Sequence, residues 1–101
     1  MKSSAVRGSR TGRPVMRLLD LLGRRWALRV LWELREAPAT FRVLRERCED
    51  VSPSVLNTRI AELREIGVLG VSGDGGYELT RAGRTLLPAL TALDGWARKN
   101  L

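Results

Sequence analysis

The run VSPSVLNTRIAELREIGV, from Val51 to Val68, specifies a helix with both of its ends marked. Ser52 is a natural N-cap, because its hydroxyl can accept from an otherwise unpaired first-turn amide, and Pro53 follows where a missing N–H is harmless. Gly67 is the stop, glycine being the residue that best tolerates the left-handed conformation just past a helix end. At about 100° per residue, Val55, Leu56, Ile60, Leu63 and Ile66 gather into one stripe, and Ser54, Asn57, Thr58 and Ala61 fall opposite. A helix with such a stripe must pack against other elements, so the rest of the chain has to supply its support.

The outward face is small and polar. A helix exposed only to be solvated usually carries long charged residues there, whereas short hydrogen-bonding side chains let a helix lie deep in a DNA major groove. Ser, Asn and Thr also occupy idle surfaces, so the helix alone leaves both readings open. Arg59 breaks the pattern by projecting into the stripe between Val55 and Leu63. A buried guanidinium left unpaired costs roughly 3–5 kcal/mol, by analogy with broken buried ion pairs. Arg59 is therefore expected to anchor the helix rather than read a base, with Glu33, Glu36 and Asp50 as candidate carboxylates.

At 101 residues and 44% hydrophobic, the chain supports one domain with a modest core, for which dimerisation is a common way to bury more. The net charge of +7 favours a polyanionic partner, nucleic acid before an anionic membrane surface. The one cysteine, Cys48, cannot form an intrachain disulfide, and residues 1–14 contain no signal-peptide core, so a cytoplasmic protein is expected. No run approaches the roughly 18 apolar residues of a membrane span. The absence of histidine removes imidazole base catalysis and His metal ligation; no metal, cofactor or enzyme activity is expected.

In chain order, residues 1–13 carry Lys2, Arg7, Arg10 and Arg13 without an acid and read as a flexible basic arm, which either touches phosphates or merely solubilises. Pro14 opens a first amphipathic helix, with Val15, Leu18, Leu19 and Leu22 on one side and Gly23 at its end. A second helix, about Arg25 to Arg35, is apolar around most of its circumference, leaving chiefly Arg29 and Glu33 outside; such helices sit centrally. Thr40 caps a third, where Phe41, Leu44 and Cys48 share a face and Arg42, Arg45 and Glu46 point away. Cys48 thus reads as a small buried hydrophobe. Two short helices joined by Glu49-Asp50-Val51 form a helix-turn-helix with the second as reader. Two strand-like runs, Val68–Ser72 and Tyr77–Leu79, flank a glycine-rich turn without phosphate-loop spacing: a β-hairpin wing. Thr80 caps a last helix whose Leu86, Leu87, Leu90, Leu93 and Trp96 form a stripe wider than one small core needs, which suggests a partner helix.

The predicted architecture is mostly α with a small hairpin wing, a winged helix-turn-helix over residues 14–101. Its residues resemble the HxlR family of bacterial transcription regulators, relatives of the MarR group. The likeness covers residues 14–97 and is carried by Leu22-Gly23-Arg24-Arg25-Trp26, Phe41 with Leu44, and Val51-Ser52-Pro53 with Val55, Leu56, Arg59, Ile60 and Leu63. It continues through Gly67-Val68, Tyr77-Glu78-Leu79-Thr80, Gly83, Leu86-Leu87-Pro88, Leu90 and Trp96. The resemblance implies a homodimer assembled through the first and last helices, with Val15, Leu18, Leu19, Leu86, Leu90, Leu93 and Trp96 at the interface, on a palindromic operator. Two departures stand out. Arg13 occupies the place where many members carry a sensing cysteine, and no Lys or Arg lies between Val71 and Tyr77 to reach a minor groove.

The leading expectation is a sequence-specific regulator binding double-stranded DNA. Ser54, Asn57, Thr58 and Ala61 would face base edges, and Ser52, Arg24, Arg25, Arg42, Arg45 and Arg64 would position the phosphates. The alternative is a winged-helix module that binds protein instead. A dimer of this kind leaves room for a small-molecule effector, and no residue specifies one.

Overall fold

Proline, glycine and hydroxyl caps divide the chain into five helices and one hairpin in the computed structural model, which describes residues 13–101. The expected basic arm lies outside the described residues apart from Arg13. The helices are α1 (Pro14–Leu22), α2 (Ala27–Glu33), α3 (Phe41–Arg47), α4 (Pro53–Glu65) and α5 (Arg81–Asn100); strands β1 (Leu69–Val71) and β2 (Tyr77–Leu79) stand between α4 and α5.

Each sequence-assigned hydroxyl cap is formed. The side chains of Thr40, Ser52 and Thr80 accept from the amides of Val43 (3.2 Å), Val55 (3.2 Å) and Gly83 (3.1 Å). At the far end of α4, Gly67 takes φ +85°, its N–H reaching Arg64 O (3.0 Å) while Val68 N–H reaches Leu63 O (3.1 Å). That pair of bonds satisfies two carbonyls the helix would otherwise leave orphaned.

The core gathers around α2. Val30, Leu31 and Leu34 are buried together with Leu44 of α3 and its C-cap Cys48, Leu56, Ile60 and Leu63 of α4, Leu69 and Leu79 of the hairpin, and Leu90 of α5. Burying a Leu or Val side chain contributes about 1.5–3 kcal/mol, so this shared cluster outweighs any single polar contact. Burial also pushes the Cys48 thiol above its ordinary pKa, despite the opposing field of Arg29, in keeping with a core role.

The structure corrects several expectations. α2 begins at Ala27 instead of Arg25 because Trp26 adopts φ +76°, a left-handed turn that a helix cannot include. α2 is also less enclosed than its composition suggests: Leu28 is exposed, and the half-buried Trp32 carries the Arg35 guanidinium over its ring at 4.1 Å. Ile66 is exposed, since it is the C-cap of α4 and stands past the last packed turn. Leu90, expected to await a partner helix, packs into the chain's own core at 7% exposure.

β1 and β2 pair antiparallel, Leu69 opposite Leu79 and Val71 opposite Tyr77. Tyr77 also exchanges two backbone bonds with Ala39 (3.0 and 2.8 Å), so the segment before α3 adds a one-residue third strand that the sequence does not announce. Gly83, on the first turn of α5, lies so close to the chain that a Cβ there would collide with the Val68 carbonyl. Gly83→Ala is accordingly expected to lower the unfolding free energy by about 1–3 kcal/mol or more, the range for overpacking, as read by denaturant titration followed by circular dichroism. In the same preparation of the parent protein, Cys48 should resist alkylation at pH 8 until denaturant unfolds the chain.

Candidate nucleic-acid interface

α3 and α4 are joined by a turn in which Glu49 and Asp50 both take φ +58°. Left-handed backbone costs a non-glycine residue roughly 1–2 kcal/mol, so something must hold it. Asp50 N–H bonds Arg45 O (2.9 Å), Val51 N–H bonds Cys48 O (3.1 Å), and the Arg45 guanidinium donates from Nε to Val51 O (2.7 Å). Arg45, which the helical pattern points outward toward phosphate, is half-buried and stitches the turn instead.

The turn delivers α4 with Leu56, Ile60 and Leu63 inward and Ser54, Asn57, Thr58 and Ala61 exposed on the other side. Thr58 Oγ1 donates to Ser54 O one turn back (2.9 Å), which occupies its hydroxyl and leaves its methyl outward. Ser52 Oγ is engaged by the cap and lies 3.5 Å from Ser54 Oγ. Asn57 carries the one side-chain amide on this face, able to donate and accept together.

Arg59 is 20% exposed and donates Nε–H to the Arg25 carbonyl (2.8 Å) and Nη1–H to Glu62 Oε1 (3.0 Å). None of the three expected carboxylates serves it: Glu33 pairs with Arg29 (2.8 Å), Glu36 lies 3.9 Å from Arg35, and Asp50 is in the left-handed turn. Glu62, one turn along the same helix, is the residue that stripe-and-face reasoning passes over; its i,i+3 spacing from Arg59 is the signal that finds it. The other Glu62 oxygen accepts from Arg24 Nη1 (2.6 Å), and Arg24 Nη2 reaches Asp20 (3.3 Å). Arg24, expected at phosphate, is therefore committed to two carboxylates.

Of the remaining expected phosphate contacts, Arg25 is exposed with its guanidinium 5.4 Å from the Trp26 ring, and Arg64 is exposed. Arg42 is 80% exposed and only loosely paired with Glu46 (3.2 Å). At the wing tip, hydrogen bonds from the Ser72 hydroxyl and then the Gly76 amide hold the Asp74 carboxyl below the usual carboxylate range, so the tip presents an anion.

Away from α4, Val15 (56%), Leu19 (53%), Leu93 (61%) and Trp96 (61%) are exposed, whereas Leu18 and Leu86 are half-buried against the core. An open cleft between α1 and the end of α4 is lined by Arg17, Asp20, Arg24, Glu62, Glu65 and Ile66. Among the described residues, no helix is long and apolar enough to cross a membrane.

A helix-turn-helix braced by flanking helices and followed by a short hairpin defines the winged helix-turn-helix class. The HxlR-like helix-turn-helix family matches residues 21–101, and the chain belongs to that family. Over 94 residues it is 29% identical to the HTH-type transcriptional regulator YdeP of Bacillus subtilis (strain 168), covering 87% of this chain and 73% of the relative. Its fold is similar to that of quinone-bound YodB from B. subtilis, with a TM-score of 0.77 and 26% identity over 86% of this chain and 98% of the other. A MarR-family regulator from Porphyromonas gingivalis W83 shares the fold at a TM-score of 0.79 and 18% identity, covering 92% and 97% of the two chains. This is a family of DNA-binding transcription regulators.

The contrast between two neighbouring arginines is measurable. Arg45→Ala should lower the thermal midpoint by several degrees, the scale of a lost part-buried bond of about 1 kcal/mol in a domain this size. Arg42→Ala should leave the midpoint within about a degree, and a phosphate role would show as a salt slope of DNA binding reduced by roughly 0.9.

Proposed function

We propose that the protein acts as a homodimer on a palindromic operator, with one α4 in the major groove of each half-site. The observation that carries the reading is the exposed face of Ser54, Asn57, Thr58 and Ala61, set opposite the three buried residues Leu56, Ile60 and Leu63 on a capped helix. Short side chains at the centre of that face permit close approach to base edges. With no arginine or lysine among them, the bidentate guanine contact common in specific interfaces is missing, and Asn57 is the best reader, its amide matching the donor–acceptor pair of adenine. Thr58, its hydroxyl already bonded within the helix, offers a methyl to thymine, as does Ala61. The reading therefore favours an A·T-leaning half-site, with half-site centres about 10 base pairs apart.

Phosphate contacts fall to Arg25, Arg42 and Arg64, together with the N-terminal amides of α4 beside Ser52. Arg24 and Arg45 are assigned to holding the reader rather than to DNA, because both are bonded internally. The anionic wing tip supports little contact with the duplex. The dimer is supported by the exposed apolar residues Val15 and Leu19 of α1 and Leu93 and Trp96 of α5, large side chains that a monomer gains nothing by exposing in pairs one helical turn apart. The cleft between α1 and α4 is where an effector would have access to both helices.

Selection of bound sites from random duplexes tests the reading: a two-fold symmetric site with adenines or thymines at the half-site centres is expected, and guanines fixed there would mean that another face of α4 enters the groove. Asn57→Ala should flatten preference at one position per half-site, an effect of roughly 1–3 kcal/mol, without altering the salt slope. Leu93→Asp and Trp96→Asp, both at exposed positions, should give folded monomers by light scattering; an intact dimer would place the interface elsewhere.

A further inference from the structure

Four side chains beside the reading face form one connected polar chain. Asp20 of α1 accepts from Arg24 in the α1–α2 connection; Arg24 and Arg59 grip the two oxygens of Glu62 on α4; and Arg59 returns to the connection through the Arg25 carbonyl. We propose that Glu62 is a positioning residue for DNA reading, its carboxylate clamped between Arg24 and Arg59 so as to fix the rotation of α4 about its own axis. The proposal rests on the assignment of α4 as the reader.

Apolar packing alone does not fix that rotation. Leu56, Ile60 and Leu63 hold α4 against the core, but hydrophobic contact is non-directional and tolerates small turns of the helix. The reading face does not tolerate them: with side-chain tips about 5–6 Å from the axis, a turn of only 10° shifts a tip by about 1 Å. A displacement of that size degrades a hydrogen bond to a base edge, whose working range spans only about half an ångström. Hydrogen bonds are directional, and two of them cross from α4 to the α1–α2 connection: Glu62 accepts from Arg24, and Arg59, steadied within the helix by the other Glu62 oxygen, donates to the Arg25 carbonyl. The Arg59–Glu62 pair, at 20% and 23% side-chain exposure, is also the most sheltered ion pair among the described residues, so solvent and salt weaken it least. Because Arg24 also holds Asp20, the clamp ties α4 to α1, the helix proposed above to meet the partner copy.

The test uses Glu62→Gln, isosteric but uncharged, which keeps one acceptor and turns an NH2 toward the second arginine, and Glu62→Ala. Binding is measured to the duplex selected by the parent protein and to random duplex, with the thermal midpoint as a folding control. The ratio of the two affinities should fall about tenfold, the scale of one lost base contact, with the loss falling on the selected duplex. A folded variant that keeps the ratio, even at a lowered midpoint, would reduce Glu62 to a stabilising role and overturn the proposal. Independently of DNA, the Arg59 Nε–H, which donates to the Arg25 carbonyl while Glu62 holds Nη1, should exchange slowly with solvent by NMR in the parent and at least about tenfold faster in either variant, as expected once the guanidinium is no longer held in place and that bond is free to open. Equal exchange in all three proteins would overturn the clamp itself. A parent protein without preference among duplexes would instead sink the assignment of α4 as reader, while the exchange measurement would still decide whether Glu62 holds Arg59.

Discussion

A helix that offers one face to a partner can be held only from behind, and here the hold is the contact of Leu56, Ile60 and Leu63 with the core around α2. Their burial contributes about 5–9 kcal/mol in sum, comparable to the 5–15 kcal/mol by which a whole domain is stable. Detaching α4 therefore costs free energy on the scale of the whole fold. This explains why α2 is short yet central and why α3 is only seven residues long: α3 need do no more than bury Leu44 and Cys48 and aim the turn.

How far the sequence discloses this depends on the kind of information involved. Elements and caps are legible because they are local: Ser52, Thr40 and Thr80 each bond an amide three residues on, and Gly67 turns left-handed where the stripe ends. The inward and outward sets of α4 are legible from periodicity alone, except at Ile66, where the helix ends and periodicity stops meaning burial. The polar partnerships are not legible in that way. The Arg59–Glu62 pair is local, at i,i+3 spacing, but whether Arg24 and the Arg25 carbonyl join it depends on which elements lie side by side and at what angle, and Arg45 facing inward depends on a turn built from two left-handed acidic residues that no pattern of apolar spacing encodes. Leu90 is a similar case, since a wide stripe does not say which of its edges the chain keeps for its own core.

The arginines show that basic composition and basic surface are different quantities. Arg29, Arg35, Arg45, Arg47 and Arg59 each donate to a backbone carbonyl, of Arg47, Trp32, Val51, Glu33 and Arg25 respectively. Most of these acceptors lie at helix ends or in the connections after them, where carbonyls lack intrahelical partners and a cation is favoured by the aligned peptide dipoles. The forked guanidinium suits this work, since it can bond a carbonyl with one N–H and a carboxylate with another, as Arg29 and Arg59 both do. Part of the net charge of +7 is thus mortar between short helices.

The backbone bridge between Ala39 and Tyr77 bears on the order in which the chain assembles. It joins residues far apart in sequence, and closing so long a loop costs entropy that is recovered only once the intervening α3 and α4 have drawn the ends together. The helices are rich in local contacts and carry no such closure cost, so the bridge is expected to be the late contact and the wing the first part to loosen.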